Sequence, residues 1–189
     1  MGDGAVVRPP AGGVGTATET SSLVDGLILD ITRALFGSYG ARLELDGSPA
    51  QKTLETANFV TVIGFSSRNF NGSLLLALPR GLVEHTLPTA DAGLADWCGE
   101  LANQLLGRLK NRLFDYQVSL NMTLPVVISG GRFALPAKTR PVTRYFCFVS
   151  DWGKFFVRLE AEIGPNVELV RQTRTEAGRV LDEGELLLF

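Results

Sequence analysis

The chain has 189 residues, 45% of them apolar, which is enough for one domain with a substantial core. Its 18 basic and 20 acidic residues leave a net charge of −2, and neither sign gathers into a long run. That balance argues against nucleic acid or an anionic membrane surface as the main partner. No stretch approaches the roughly 18 apolar residues of a membrane-spanning helix, and no signal-peptide core opens the chain, so a cytoplasmic protein is expected.

In chain order, residues 1–20 are rich in Gly, Ala, Thr and Pro without apolar periodicity and read as a disordered leader. The glycines at 12, 13 and 15 follow no strand and so form no phosphate loop. From Ser22, the residues Leu23, Leu27, Ile31 and Leu35 recur at every fourth position, with Gly37 and Gly40 as stops, which predicts a first helix. "ARLELDG" suits a short strand. "ANFVTVIGFSSRNFNGSLLLALP" holds two apolar runs around a polar turn containing Asn69, Asn71 and Gly72, a hairpin pattern. "RGLVEHTL" suits a brief helix before Pro88, and "TADAGLADWCGELANQLLGRLKNRLF" carries the longest helical signal.

Strands dominate the second half of the chain. "YQVSLNMTLPVVISGG" alternates in part, and "RYFCFVSDWGKFFVRLEAEI" reads as two strands joined by the turn "SDWG". The end of the chain is open between a docked helix and a loose tail. The expected division is a leader over 1–20, one domain over 21–170 and a tail over 171–189. The expected fold is an α/β (α+β) sandwich, two main helices on a largely antiparallel sheet.

Common catalytic constellations are missing. The single histidine, His85, has no matched partner in sequence and reads as a surface or helix-end residue. Cys98 and Cys147 lie in apolar segments without CxxC or Cys/His spacing, so they read as buried thiols in a reducing compartment, and no metal site is expected.

The long helix is more informative. At about 100° per residue, Leu94, Cys98, Leu101, Leu105, Leu109 and the stem of Arg112 share the side that must pack on the sheet. Asp96, Glu100, Asn103, Gly107 and Lys110 fall opposite, with Glu100 and Asn103 at i and i+3. Gly107 costs its helix roughly 1 kcal/mol relative to alanine. Either a loop of the same protein crosses there or simple tolerance explains it, or another protein's backbone approaches beside Glu100 and Asn103. An amide can direct a water molecule without taking its proton, and a carboxylate can hold an ammonium. Together they suit a hydrolysis whose substrate brings its own metal and charge stabilisers, as an aspartyl phosphate in a receiver domain does.

Asp96, Glu100 and Asn103, with Pro125 about two dozen positions on, resemble the signature of the CheC/CheX/FliY family of chemotaxis phosphatases. "GELANQLLGRLK" followed by "VSLNMTLPVVISG" is similar to the CheX-type helix and the strand after it, and "VTVIGFSSRNFNGSLLLALPRGLVE" resembles the family's hairpin and short helix. The likeness spans roughly residues 22–160. It implies an enzyme that removes phosphate from a CheY-like response regulator. By that resemblance Glu100 contacts a lysine of the regulator's active site and Asn103 orients the attacking water. The Mg²⁺ belongs to the regulator, so no cofactor is bound by this chain. Asp96, Gly107 and Lys110 become partner-contacting positions on the same face. Asp96 early in the helix also favours its positive end, and Pro125 shapes a strand. A single copy of the motif matches CheX rather than CheC or FliY, and so implies a homodimer. Two alternatives are a non-catalytic CheX-like binding or dimerisation module and a flagellar switch-type structural domain. The intact Glu100/Asn103 pair speaks against both.

Overall fold

Helix α1 (Ala17–Ser38) opens the structure, a computed structural model that describes residues 17–47, 53–89, 91–131, 133–134 and 142–164. Val24, Ile28, Ile31, Thr32, Leu35 and Phe36 form its buried side, a stripe at the i, i+3, i+4 spacing of a core-facing helix. The stripe runs beside the expected one, leaving Leu23 and Leu27 half-buried. The helix begins at Ala17 rather than near Ser21, because its first turn has no large apolar residue to mark it. Residues 1–16 of the expected leader, and the expected tail over 171–189, lie outside the described residues.

Gly40 ends α1. It takes φ +78°, the left-handed conformation that glycine adopts without strain, while the Gly40 N–H donates to the Gly37 carbonyl and the Ala41 N–H to that of Phe36. These two bonds satisfy carbonyls left open at the helix end and fix the path of Tyr39, the residue before the glycine.

The strands run in chain order as β1 (Glu44–Asp46), β2 (Thr53–Leu54), β3 (Phe59–Ser66) and β4 (Phe70–Leu78), then after two helices as β5 (Asn121–Met122), β6 (Val126–Ser129), β7 (Phe133–Ala134), β8 (Val142–Ser150) and β9 (Gly153–Ile163). Seven of them make an antiparallel sheet in the order β1-β8-β9-β4-β3-β5, with β6 also pairing with β3. The expected helix-on-antiparallel-sheet fold is therefore present. The two-residue strands β2 and β7 form a separate ribbon. The hairpin β3–β4 is as expected, but its turn is only the segment Ser67 to Asn69. Asn71 and Gly72 lie inside β4, where Gly72 pairs with both Phe65 and Ala161. A Cβ at Gly72 would overlap the Glu160 carbonyl oxygen, so the glycine serves close strand approach and not a turn.

Two helices come after the hairpin, α2 (Arg80–Thr86) and α3 (Leu94–Phe114). The first N–H of α2, at Arg80, donates to the side-chain oxygen of Asn58 at 2.8 Å, a cap supplied from the start of β3. Helix α3 buries Cys98, Gly99, Leu101, Ala102, Leu105, Leu106, Leu109 and Leu113. Its core stripe ends on Leu113, whereas Arg112 is exposed and its stem is not part of the packed side.

Helices α1 and α3 lie on one face of the sheet. The core between the layers is centred on Phe36, which meets Phe155 with ring centroids 4.8 Å apart, and Phe148, which stacks on Phe155 at 5.1 Å. Truncating a fully buried leucine here, such as Leu105, costs about 2–5 kcal/mol. The other face carries a smaller apolar cluster of Ala57, Val60, Ala77 and Phe156. It also carries Arg158, which is buried, pairs with Glu160 and lies over the Tyr145 ring at 4.9 Å.

Candidate functional site

The sheet packs against α3 from one side only, so the helix keeps a polar flank. Asp96, Glu100 and Lys110 are exposed, and Asn103 and Gly107 are half-exposed between them. All five positions picked from the sequence thus share one face of one helix. The reason is local: with eight small or apolar residues occupying the core side, the 100° step leaves these five on the opposite arc.

Each position has its own setting. Asp96 sits in the first turn, where a negative charge meets the positive helix end, and its carboxylate turns back toward Gly93. Asp96, Asn103 and Lys110 have no hydrogen-bond or ion-pair partner among the described residues, so the Asn103 amide is available to a ligand. A Cβ at Gly107 would meet nothing within 4 Å. Among the described residues no loop crosses this glycine, so none of them accounts for it by packing.

Glu100 is different. Its carboxylate accepts a hydrogen bond from Gln104 Nε2 at 3.1 Å, and Gln104 Oε1 accepts one from the Tyr39 hydroxyl at 2.8 Å. Tyr39 packs edge-on against Trp97, with ring centroids 5.7 Å apart. Trp97 Nε1 in turn donates to Thr86 Oγ1 of α2 at 3.0 Å. Helical-face patterning does not single out Gln104, although its i+4 spacing from Glu100 is a usable signal. Nothing in the sequence marks Tyr39, which lies 65 positions from Gln104.

Pro125 stands beside this flank. A Cβ on Gly99 would lie 3.4 Å from Pro125 Cγ and 3.5 Å from Val127, so the glycine lets the strand segment approach α3 next to Glu100. Pro125 precedes β6 and separates it from β5. It bounds a strand, as expected, and also packs on the helix.

The remaining candidates lie elsewhere. His85 is exposed on α2 and stacks on Trp152 at 3.7 Å, with no hydrogen-bond or ion-pair partner among the described residues. Cys98 is buried, and that burial pushes its thiol up to about 12. Cys147 departs from expectation: it is only partly buried, on the sheet face away from the helices. Its pairing strands cover its flanks but not all of its side chain. Among the described residues no three His, Cys, Asp or Glu side chains gather into a metal site, and no helix is long and apolar enough to cross a membrane.

Comparison with known proteins bears on the fold. Residues 59–147 match the family model described as chemotaxis phosphatase CheX. The fold is similar to that of the chemotaxis protein CheX from Vibrio vulnificus, with a TM-score of 0.65 and 19% identity over 74% of this chain and 99% of that one. A CheC-like superfamily protein from Shewanella sp. PV-4 matches with a TM-score of 0.60 and 20% identity, over 74% of this chain and 97% of that one. The structure of a CheX–CheY–BeF₃–Mg²⁺ complex from Borrelia burgdorferi matches with a TM-score of 0.55 and 12% identity, again over 74% and 97%. No curated protein matches the chain.

Proposed function

From the premise that this chain is CheX-like, in its fold and in the sequence of residues 59–147, we propose that it hydrolyses the aspartyl phosphate of a CheY-like response regulator. The observation that carries the reading is the polar flank of α3, where Glu100 and Asn103 project from one surface beside Gly107, the Asn103 amide having no partner among the described residues. The Borrelia burgdorferi complex supports the choice of partner, since its relative is joined there to CheY.

In the reaction so conceived, Glu100 contacts the lysine of the regulator's active site and seats the helix over the acyl phosphate. Asn103 enters beside the phosphoryl group and holds a water in line with the bond to be broken. The water oxygen bonds to phosphorus as the bond from phosphorus to the aspartyl oxygen breaks. The regulator's carboxylate and inorganic phosphate result, with the water's proton carried off on phosphate. Asn103 removes no proton. Its contribution is orientation, which suffices where the regulator's own Mg²⁺ and lysine already stabilise the transferring group. Asp96, Gly107 and Lys110 then line the contact, with Gly107 admitting the partner's backbone closely.

A homodimer is part of the same reading. No described strand pairs with the outer edge of β6, and Leu124, Val126 and Ile128 beside it are 87%, 62% and 51% exposed. Such an apolar edge favours strand pairing with a second copy.

The direct test is to follow phosphate loss from a panel of phosphorylated receiver domains. Faster loss from at least one receiver with the wild-type chain than without it is expected. Binding of receivers without acceleration of any would favour the non-catalytic module instead.

A further inference from the structure

We infer that Gln104 and Tyr39 are positioning residues that aim the Glu100 carboxylate at the partner, an inference that rests on the phosphatase reading above. A glutamate on a helix surface samples several rotamers in water, and ordering it on binding costs affinity. Here the ordering is done in advance. Gln104, one turn along α3, donates to Glu100 Oε1 at 3.1 Å, and it is itself held by the Tyr39 hydroxyl at 2.8 Å. The amide of Gln104 can make both contacts only in one orientation, with its oxygen toward Tyr39 and its nitrogen toward Glu100.

Tyr39 is in turn fixed at both ends. Its backbone precedes the left-handed Gly40 that closes α1, and its ring meets Trp97, which Thr86 of α2 holds at 3.0 Å. The chain of contacts therefore runs from α2 and the end of α1 to one carboxylate on the working face of α3. Asn103, on the other side of Glu100, has no such support among the described residues. The device acts on anchoring and leaves the water-directing amide untouched.

The test uses the full chain and a phosphorylated receiver domain that the wild type dephosphorylates. Tyr39→Phe keeps the ring against Trp97 and removes only the hydroxyl. Gln104→Glu keeps an oxygen to accept the Tyr39 hydroxyl, but replaces the donor to Glu100 with a like charge at i, i+4. Each variant should melt within a few degrees of wild type. Each should raise KM about three- to tenfold, the cost of losing one ordinary hydrogen bond, with kcat within about twofold. The repulsive Gln104→Glu should be the worse of the two. A purely structural Gln104 would tolerate glutamate, so wild-type KM in both variants overturns the positioning role, as does a fall in kcat at unchanged KM. If the wild type itself accelerates no receiver, the phosphatase reading fails and the positioning role falls with it.

Discussion

Gly107 is the residue whose neighbourhood the structure changes most. A glycine within a helix can be a packing necessity, yet among the described residues nothing lies within 4 Å of where its Cβ would stand. Two opposite outcomes are therefore expected at one position. Gly107→Ala should raise stability by about 1 kcal/mol, the ordinary helix-propensity gain, measured by denaturant unfolding. Gly107→Trp should fold as well but lose affinity for a receiver loaded with beryllofluoride and Mg²⁺. Unfolding of the tryptophan variant would mean that the glycine serves this chain's own packing. Wild-type receiver affinity in that variant would remove Gly107 from the contact.

At the scale of elements, the end of α3 shows the same capping geometry as α1 with a poorer residue. The Val118 N–H donates to the Leu113 carbonyl and the Gln117 N–H to that of Phe114, while Gln117 takes φ 60°. A side chain in that conformation is strained, so Gln117→Gly should stabilise the protein by about 0.5–1 kcal/mol, read as a rise in the unfolding midpoint. A lower midpoint would show that the glutamine side chain contributes more than its backbone costs.

Strands β1, β8 and β9 meet at a small charged group with a defined pH signature. Asp46 accepts from the Lys154 ammonium at 2.6 Å, which holds that lysine above its usual 10.5. Burial foremost, and then Asp46, push the Cys147 thiol to about 11. Both values are raised on folding, so the stability they contribute is complete below the unfolded values and is lost as pH rises through the folded ones. The melting temperature of the wild type should exceed that of Asp46→Asn at about pH 8, and the margin should shrink above pH 10.5. A margin that does not change with pH would remove the ion pair as its cause.

For the molecule as a whole, the exposed row on β6 makes an assembly prediction. Val126→Lys places a charge on the free edge without touching the core face, where Pro125 and Val127 meet Gly99. A dimeric wild type should become monomeric by light scattering. A variant that stays dimeric would put the interface elsewhere.

Long periodic elements were legible in the sequence and long-range pairings were not. Helix α3 keeps its 3.6-residue pattern for 21 residues, and its face could be assigned residue by residue. The β8–β9 hairpin was marked by alternation around a glycine turn. The ribbon of β2 and β7 was invisible, because strands of two residues carry no period. Gly72 reads as a turn residue because asparagines stand close to it, whereas its role depends on β9, some 90 positions away. A separation of 65 positions likewise hides Tyr39 from Gln104. Glu100 and Asn103 needed only helical geometry to be paired, while the support under Glu100 needed the fold.

The most direct test of the proposed mechanism separates the two members of that pair. Phosphate loss from a responsive receiver should be followed over increasing concentrations of wild type, Glu100→Ala and Asn103→Ala. Glu100→Ala should need at least about tenfold more protein to reach its maximal rate, as expected when one partner of a charge contact is removed. Asn103→Ala should still bind but fall about a hundredfold in maximal rate, or to the receiver's own rate of phosphate loss. An Asn103→Ala chain that dephosphorylates the receiver at the wild-type maximal rate would contradict the mechanism.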